Sequence, residues 1–186
     1  YNLTSWIAFL TFFAATTTQA ALLKTKDPSA ICNNGQQATF MVSKSKSSNW
    51  FIYFEGGGVA ASPDSYRKRK KKHKQPASGK NYGLNYSIVK DFKKKKFNVV
   101  VIPYCTSDLH QGSHSHQIDG KKVYFHGNKI IEDVFKQLDS EFKSAGELIF
   151  AGYSAGAIGL GFNADLIKKY KNPKLIVDSF WLDKES

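Results

Sequence analysis

Gly152-Tyr153-Ser154-Ala155-Gly156 stands directly after a continuous apolar run, Glu147 to Ala151 (ELIFA), and directly before a helix-forming stretch from Ser154 to Lys171. A buried strand, a tight turn and a helix in that order commit the chain to an α/β sheet, since the helix must carry the backbone across to a parallel neighbour. In this context G-x-S-x-G is a nucleophile elbow. The serine occupies a sharp corner that leaves its hydroxyl exposed, and the flanking glycines stand where a Cβ would collide with the adjoining strand and helix. The helix start and the backbone N–H of Ala155 face the position at which an oxyanion would form. Ser154 is therefore the candidate nucleophile.

The rest of the chain agrees with that frame. Thr39 to Ser43 and Trp50 to Phe54 (WFIYF) read as strands separated by a polar turn. Phe97 to Pro103 (FNVVVIP) is apolar without alternation, as a strand covered on both faces is. From Asn128 to Lys143, the residues Ile130, Ile131, Val134, Phe135, Leu138 and Phe142 follow helical spacing, and Lys174 to Asp178 (KLIVD) reads as one more strand. Residues from Val59 to Asn85 are expected to form a long surface loop with a helical piece, and Ser107 to Gly120 an irregular polar loop. The fold class expected is α/β, a doubly wound, mostly parallel sheet of α/β-hydrolase type. With 41% hydrophobic residues in 186, the chain has apolar material for one core.

Acyl transfer also needs a second oxyanion donor, which this fold takes from a glycine-rich loop after an earlier strand. Glu55-Gly56-Gly57-Gly58 follows WFIYF at that place. Gly56 and Gly57 are the candidates, because their N–H groups can turn toward a substrate oxygen with no side chain in the way. The base is the gap. In this fold the order is Ser, then Asp or Glu, then His, whereas His73, His110, His114, His116 and His126 all precede Ser154. Asp178 and Asp183 read either as an orienting acid or as a cap or buried structural carboxylate. The catalytic Asp and His are expected beyond Ser186, with the sheet incomplete at the C-terminus, so these 186 residues alone are expected to be inactive. His110, His114 and His116 lack a carboxylate or cysteine at a familiar ligand spacing and read as part of a solvated loop, and no metal or cofactor is expected.

Residues 1–20 read as a secretory signal peptide whose positively charged start is missing: an apolar stretch from Trp6 to Ala15 precedes small residues, too short to span a bilayer. Residues 21–186 are then the N-terminal part of one α/β-hydrolase domain, secreted and without a membrane span. The only cysteines, Cys32 and Cys105, form either one disulfide or two buried thiols. Asn85-Tyr86-Ser87 is a glycosylation sequon at Asn85. The net charge of +12 sits mainly in two runs, Arg67 to Lys74 (RKRKKKHK) and Lys93 to Lys96. Without those eleven charges, 16 basic residues face 15 acidic ones. The first run suits an acidic glycan or is a solvated lysine tract. Expected secretion argues against nucleic acid.

With these residues in view, the chain resembles the pectin acetylesterase and Notum family of secreted α/β-hydrolases. The resemblance runs from about Ile31 to Asp183. It is carried by ICNNG from Ile31, FEGGG from Phe54, IPYCTSD from Ile102, FHG from Phe125, AGYSAGA from Ala151 and VDSFWLD from Val177. It implies a carboxylic ester hydrolase with Ser154 as nucleophile, Gly56, Gly57 and Ala155 as the oxyanion hole, and Cys32 paired with Cys105. Asp178 matches a segment of the family outside its catalytic acid. Two departures stand out. Gly58-Val59 and a cysteine-free, lysine-rich stretch replace a Trp and two cysteines that form a small stapled loop in the family, and Gly35-Gln36-Gln37 replaces a Ser or Thr followed by Pro. The expected reaction is removal of O-acyl groups from a polysaccharide or a secreted protein through an acyl-enzyme. The alternative is a hydrolase-like module that has lost catalysis and binds polyanions through its basic tract.

Overall fold

The computed structural model of the chain describes residues 20–70 and 76–179. Its strands are β1 (Ala20–Lys24), β2 (Thr39–Ser43), β3 (Trp50–Phe54), β4 (Asn98–Ile102), β5 (His114–Ile118), β6 (Lys121–Phe125), β7 (Leu148–Tyr153) and β8 (Lys174–Asp178). The helices are α1 (Pro63–Lys70), α2 (Ser87–Lys94), α3 (Gly127–Gln137), α4 (Asp139–Lys143), α5 (Ala155–Phe162) and α6 (Ala164–Ile167). The expected leader lies outside these residues except for Ala20, which opens β1, and so do residues 71–74 of the basic tract and Asp183.

Strand periodicity decides the layers. Trp50, Ile52 and Phe54 of β3, Val100 and Ile102 of β4, and Leu148 and Phe150 of β7 share one buried cluster with Ile130, Ile131, Val134 and Phe135 of α3, Phe142 of α4 and Leu160 of α5. The alternate residues Phe51, Tyr53, Val99, Val101, Ile149 and Ala151 face the other way, onto Val89 and Phe92 of α2. Because both faces are covered, these strands read as unbroken apolar runs. Phe51 and Phe92 stack at 3.9 Å, and Phe54, Phe135 and Phe150 are wholly or almost wholly buried. Each such ring contributes roughly 2–3 kcal/mol through burial.

The sheet order is β1-β2-β4-β3-β7-β8. β3 is parallel to both β4 and β7, and β7 to β8, while β1 and β2 join antiparallel at the far side. The chain leaves β3 through α2 on one face to reach β4, then returns through α3 and α4 on the other face and passes β3 to lay down β7. The order therefore reverses between β3 and β7, and the crevice at a reversal opens beyond the carboxyl ends of its two strands. Phe54-Glu55-Gly56 and Gly152-Tyr153-Ser154 lie at those ends.

Two expectations are corrected. Residues from Ser107 to Gly120 are not irregular throughout: β5 and β6 form an antiparallel hairpin over Asp119-Gly120, both with positive φ (54° and 68°). That pair supplies the left-handed turn a two-residue hairpin requires. Tyr66 of α1 packs on Ile118, Val123 and Phe125 beneath it. The expected single helix from Ser154 to Lys171 is two, because Asn163 turns its amide back onto the carbonyls of Gly159 (2.8 Å) and His110 (2.9 Å). Cys32 and Cys105 are disulfide-bonded, tying the N-terminal arm to the segment after β4.

Candidate active site

The corner after β7 is built by close backbone approach. Ser154 has φ 52° and ψ −117°, a strained combination for a residue with a Cβ. Its N–H donates to the Asp178 carbonyl (3.0 Å), and its own carbonyl accepts the first helical bond of α5 from Ile158 (3.1 Å). A Cβ on Gly152 would lie 2.4 Å from the Gly156 carbonyl, and one on Gly156 would lie 2.1 Å from the Phe54 carbonyl oxygen. β7, α5 and the end of β3 thus pass closer than any side chain permits. Ser154 is half-buried and Ala155 is buried at the start of α5.

The glycine-rich segment after β3 lies against that corner: a Cβ on Gly56 would sit 2.3 Å from the Tyr153 carbonyl oxygen, and one on Gly57 2.8 Å from the Tyr104 ring. Gly58 has φ 70°. The Glu55 N–H continues the sheet ladder to the Ile102 carbonyl (3.1 Å), after which Pro103 offers no N–H. The Glu55 carboxylate then takes over as acceptor, receiving the Tyr104 N–H (2.8 Å), the Tyr82 hydroxyl (2.8 and 2.9 Å) and the Tyr86 hydroxyl. Burial foremost, with the adjoining carboxylate, pushes both tyrosines up, so their protons stay on.

Sequence reasoning missed three groups around this loop. His110 is buried rather than solvated, with its Nε2 2.9 Å from the Glu55 carbonyl. A carbonyl only accepts, so Nε2 carries the hydrogen. Burial pushes the imidazole pKa down, which keeps it neutral. The Arg69 guanidinium donates to the Gly57 carbonyl, its Nε lies 3.1 Å from the Ser107 hydroxyl, and it stacks on Tyr104. Burial lowers its pKa, and its Nη2 is buried without a hydrogen-bond partner. Asp108 is buried and accepts from the Thr106 hydroxyl (2.6 Å) and from the N–H groups of His110, Gly112 and Gly127, so it organises the loop after β4 and the start of α3. The run IPYCTSD was the only signal for it.

The other histidines among the described residues are elsewhere. His126 holds the Ser29 carbonyl through Nδ1 (2.7 Å), and His114 and His116 lie on the exposed hairpin with rings 5.0 Å apart. Among the described residues no cluster of His, Cys, Asp or Glu could hold a metal ion. Asp178 is exposed, with Ser179 on its carboxylate, so the reading of a buried structural carboxylate does not hold. Asn85 is exposed just before α2. Of the basic tract, Arg67 is engaged by Asp64 and Asp119. A groove of about 620 Å³ runs from Val59 to Pro63 and along the hairpin, beside the glycine-rich loop.

Comparison with known proteins agrees with the fold. The model of the Pectinacetylesterase family matches residues 13–181. The palmitoleoyl-protein carboxylesterase NOTUM of Schmidtea mediterranea is 31% identical over 173 residues, covering 81% of this chain and 32% of that protein. The human palmitoleoyl-protein carboxylesterase NOTUM is 28% identical over 149 residues, covering 75% and 30%. A crystal structure of the Wnt deacylase Notum from Drosophila superposes with a TM-score of 0.72 at 26% identity, covering 90% of this chain and 55% of that one. The chain spans about a third of the length of the curated relatives it matches.

Proposed function

Since the chain belongs to the pectinacetylesterase family, we propose that the protein is a secreted serine carboxylic ester hydrolase that removes O-acyl groups from a polysaccharide or a secreted protein. The observation that carries the reading is the strained corner at Ser154, packed directly against the Gly56–Gly57 segment at the point where the strand order reverses. Ser154 Oγ attacks the ester carbonyl carbon, and the charge formed on the carbonyl oxygen rests on the N–H groups of Gly56, Gly57 and Ala155. Collapse expels the alcohol and leaves an acyl-enzyme, which water cleaves to the free acid. The base that takes the serine proton and passes it to the leaving alcohol is, in the chain order of this fold, a histidine following an acid that follows the nucleophile. His110, buried with its Nε2–H held on the Glu55 carbonyl, is not placed to take that proton. The chemistry needs no cofactor.

A protein substrate is supported by the names of the relatives, which act on palmitoleoylated protein or on Wnt. A polysaccharide is supported by the family description and by the charge left exposed on α1, where Lys68 and Lys70 stand beside the neutralised Arg67 as a contact for an acidic glycan. Secretion is supported by the disulfide, which persists in oxidising compartments. Among the described residues no helix is long and apolar enough to cross a membrane.

In the full-length protein, Ser154→Ala is expected to lower kcat on p-nitrophenyl acetate by about a thousandfold or more. Unchanged hydrolysis would overturn the assignment. Parallel assays on acetylated pectin and on a palmitoleoylated peptide decide between the two substrates.

A further inference from the structure

Resting on the esterase reading, we infer that Glu55 is a positioning residue: clamped by Tyr82 and Tyr86, it fixes the peptide from which the Gly56 N–H is aimed at the oxyanion. The parts are on three elements. Glu55 ends the β3 ladder, Tyr82 and Tyr86 precede α2, and Tyr104 follows β4. Its carboxylate has three donors, two phenolic O–H groups and the Tyr104 N–H, and its carbonyl has a fourth in His110 Nε2.

A peptide unit is planar and trans, so its C=O and N–H point opposite ways. Holding the Glu55 carbonyl from the His110 side therefore aims the Gly56 N–H to the other side, and the Arg69 bond to the Gly57 carbonyl does the same for the Gly58 N–H. Glycine backbone does not hold such an orientation by itself. The side chain of Glu55 supplies the fixed point immediately before it. Charge is the second half of the argument. A bare carboxylate one residue from an oxyanion site would oppose the charge forming there, and the O–H and N–H donors lower that opposition by holding the negative charge on the far side of the loop.

The test uses the full-length protein with Tyr82→Phe, Tyr86→Phe and the double substitution, each keeping its ring. The double variant is expected to lose about tenfold to a hundredfold in kcat on p-nitrophenyl acetate with KM within about twofold, since a misaimed donor acts on the transition state and not on substrate binding. Labelling of Ser154 by a fluorophosphonate should slow in parallel. Glu55→Gln, which keeps one acceptor oxygen for the two hydroxyls but loses the acceptor of the Tyr104 N–H, should retain more activity than Glu55→Ala. Tyr170→Phe is the control: it removes a hydroxyl from Asp139 (3.2 Å) far from the loop and should leave kcat unchanged. A double variant with wild-type kcat, or one whose loss matches Tyr170→Phe at equal thermal stability, would overturn the inference alone. Should the double variant fold poorly, Tyr82→Phe alone must still show the kcat-specific loss, and its absence would overturn the inference as well. A wild-type protein whose Ser154 is unreactive toward the fluorophosphonate would overturn the esterase reading and the inference with it.

Discussion

Two glycine-rich turns meet at the carboxyl ends of neighbouring strands, and they are held by opposite means. The turn after β7 is fixed by backbone against backbone: Gly152 faces the Gly156 carbonyl, and Gly156 faces Phe54. The turn after β3 is fixed by side chains reaching in from elsewhere: Tyr82 and Tyr86 on the Glu55 carboxylate, His110 on its carbonyl and Arg69 on the Gly57 carbonyl. The first is a matter of room alone and the second of room and partners. Neither tolerates a Cβ, since one on Gly56 would sit 2.3 Å from the Tyr153 carbonyl oxygen, but the second can also be loosened by steps through the groups that hold it.

That contrast is sharpest at Gly156. Gly156→Ala puts a methyl group where 2.1 Å separates it from the Phe54 oxygen, and backbone on both sides cannot yield cheaply. Loss of about 3 kcal/mol or more in urea unfolding is expected, with hydrolysis falling below detection. A variant as stable and active as wild type would show that the corner is less crowded than described. Next comes the Cys32–Cys105 bond, which closes a loop across 73 positions beside the second turn. Replacing both cysteines by Ala should cost about 2–4 kcal/mol. Fluorophosphonate labelling at a temperature where the variant stays folded should persist, because the first turn does not depend on that bond. Loss of labelling there would mean that the two turns are held together.

The smallest effect belongs to His110. Its imidazole is held neutral by burial, below the ordinary 6.5. The unfolded chain therefore takes up a proton near pH 6.5 that the folded chain refuses, and the folded state loses stability as the pH falls from there toward the folded pKa. The slope is at most about 1.4 kcal/mol per pH unit. His110→Gln, which keeps a donor for the Glu55 carbonyl, should flatten that slope below pH 6.5. An unchanged slope would remove His110 from the account of the second turn.

The same contrast explains what could be read from residues alone. The first turn is local: five consecutive residues between an apolar run and a helix contain all its determinants, so Ser154 and its setting were legible. The layers were legible too, because FNVVVIP and ELIFA are short apolar runs without alternation, as strands covered on both faces are. The second turn was legible as glycines and opaque as a mechanism. Tyr82 and Tyr86 lie 27 and 31 positions from Glu55, and no local pattern marks them as its donors. His110 looked solvated because its neighbours are polar, yet those neighbours, Asp108 and Thr106, are themselves buried and mutually bonded. The hairpin is hard to read because His114, Ser115, His116 and Gln117 carry no apolar alternation. Asp119-Gly120 was the signal that stood for it.

Among the described residues β8 pairs with β7 alone, and Leu175, Ile176 and Val177 are 51%, 38% and 51% exposed. Successive residues point to opposite faces, so oily surface is uncovered above and below the same strand. A rim of that kind is adhesive in two directions at once: its backbone offers hydrogen bonds to any extended segment alongside it, and its faces reward whatever then closes over them.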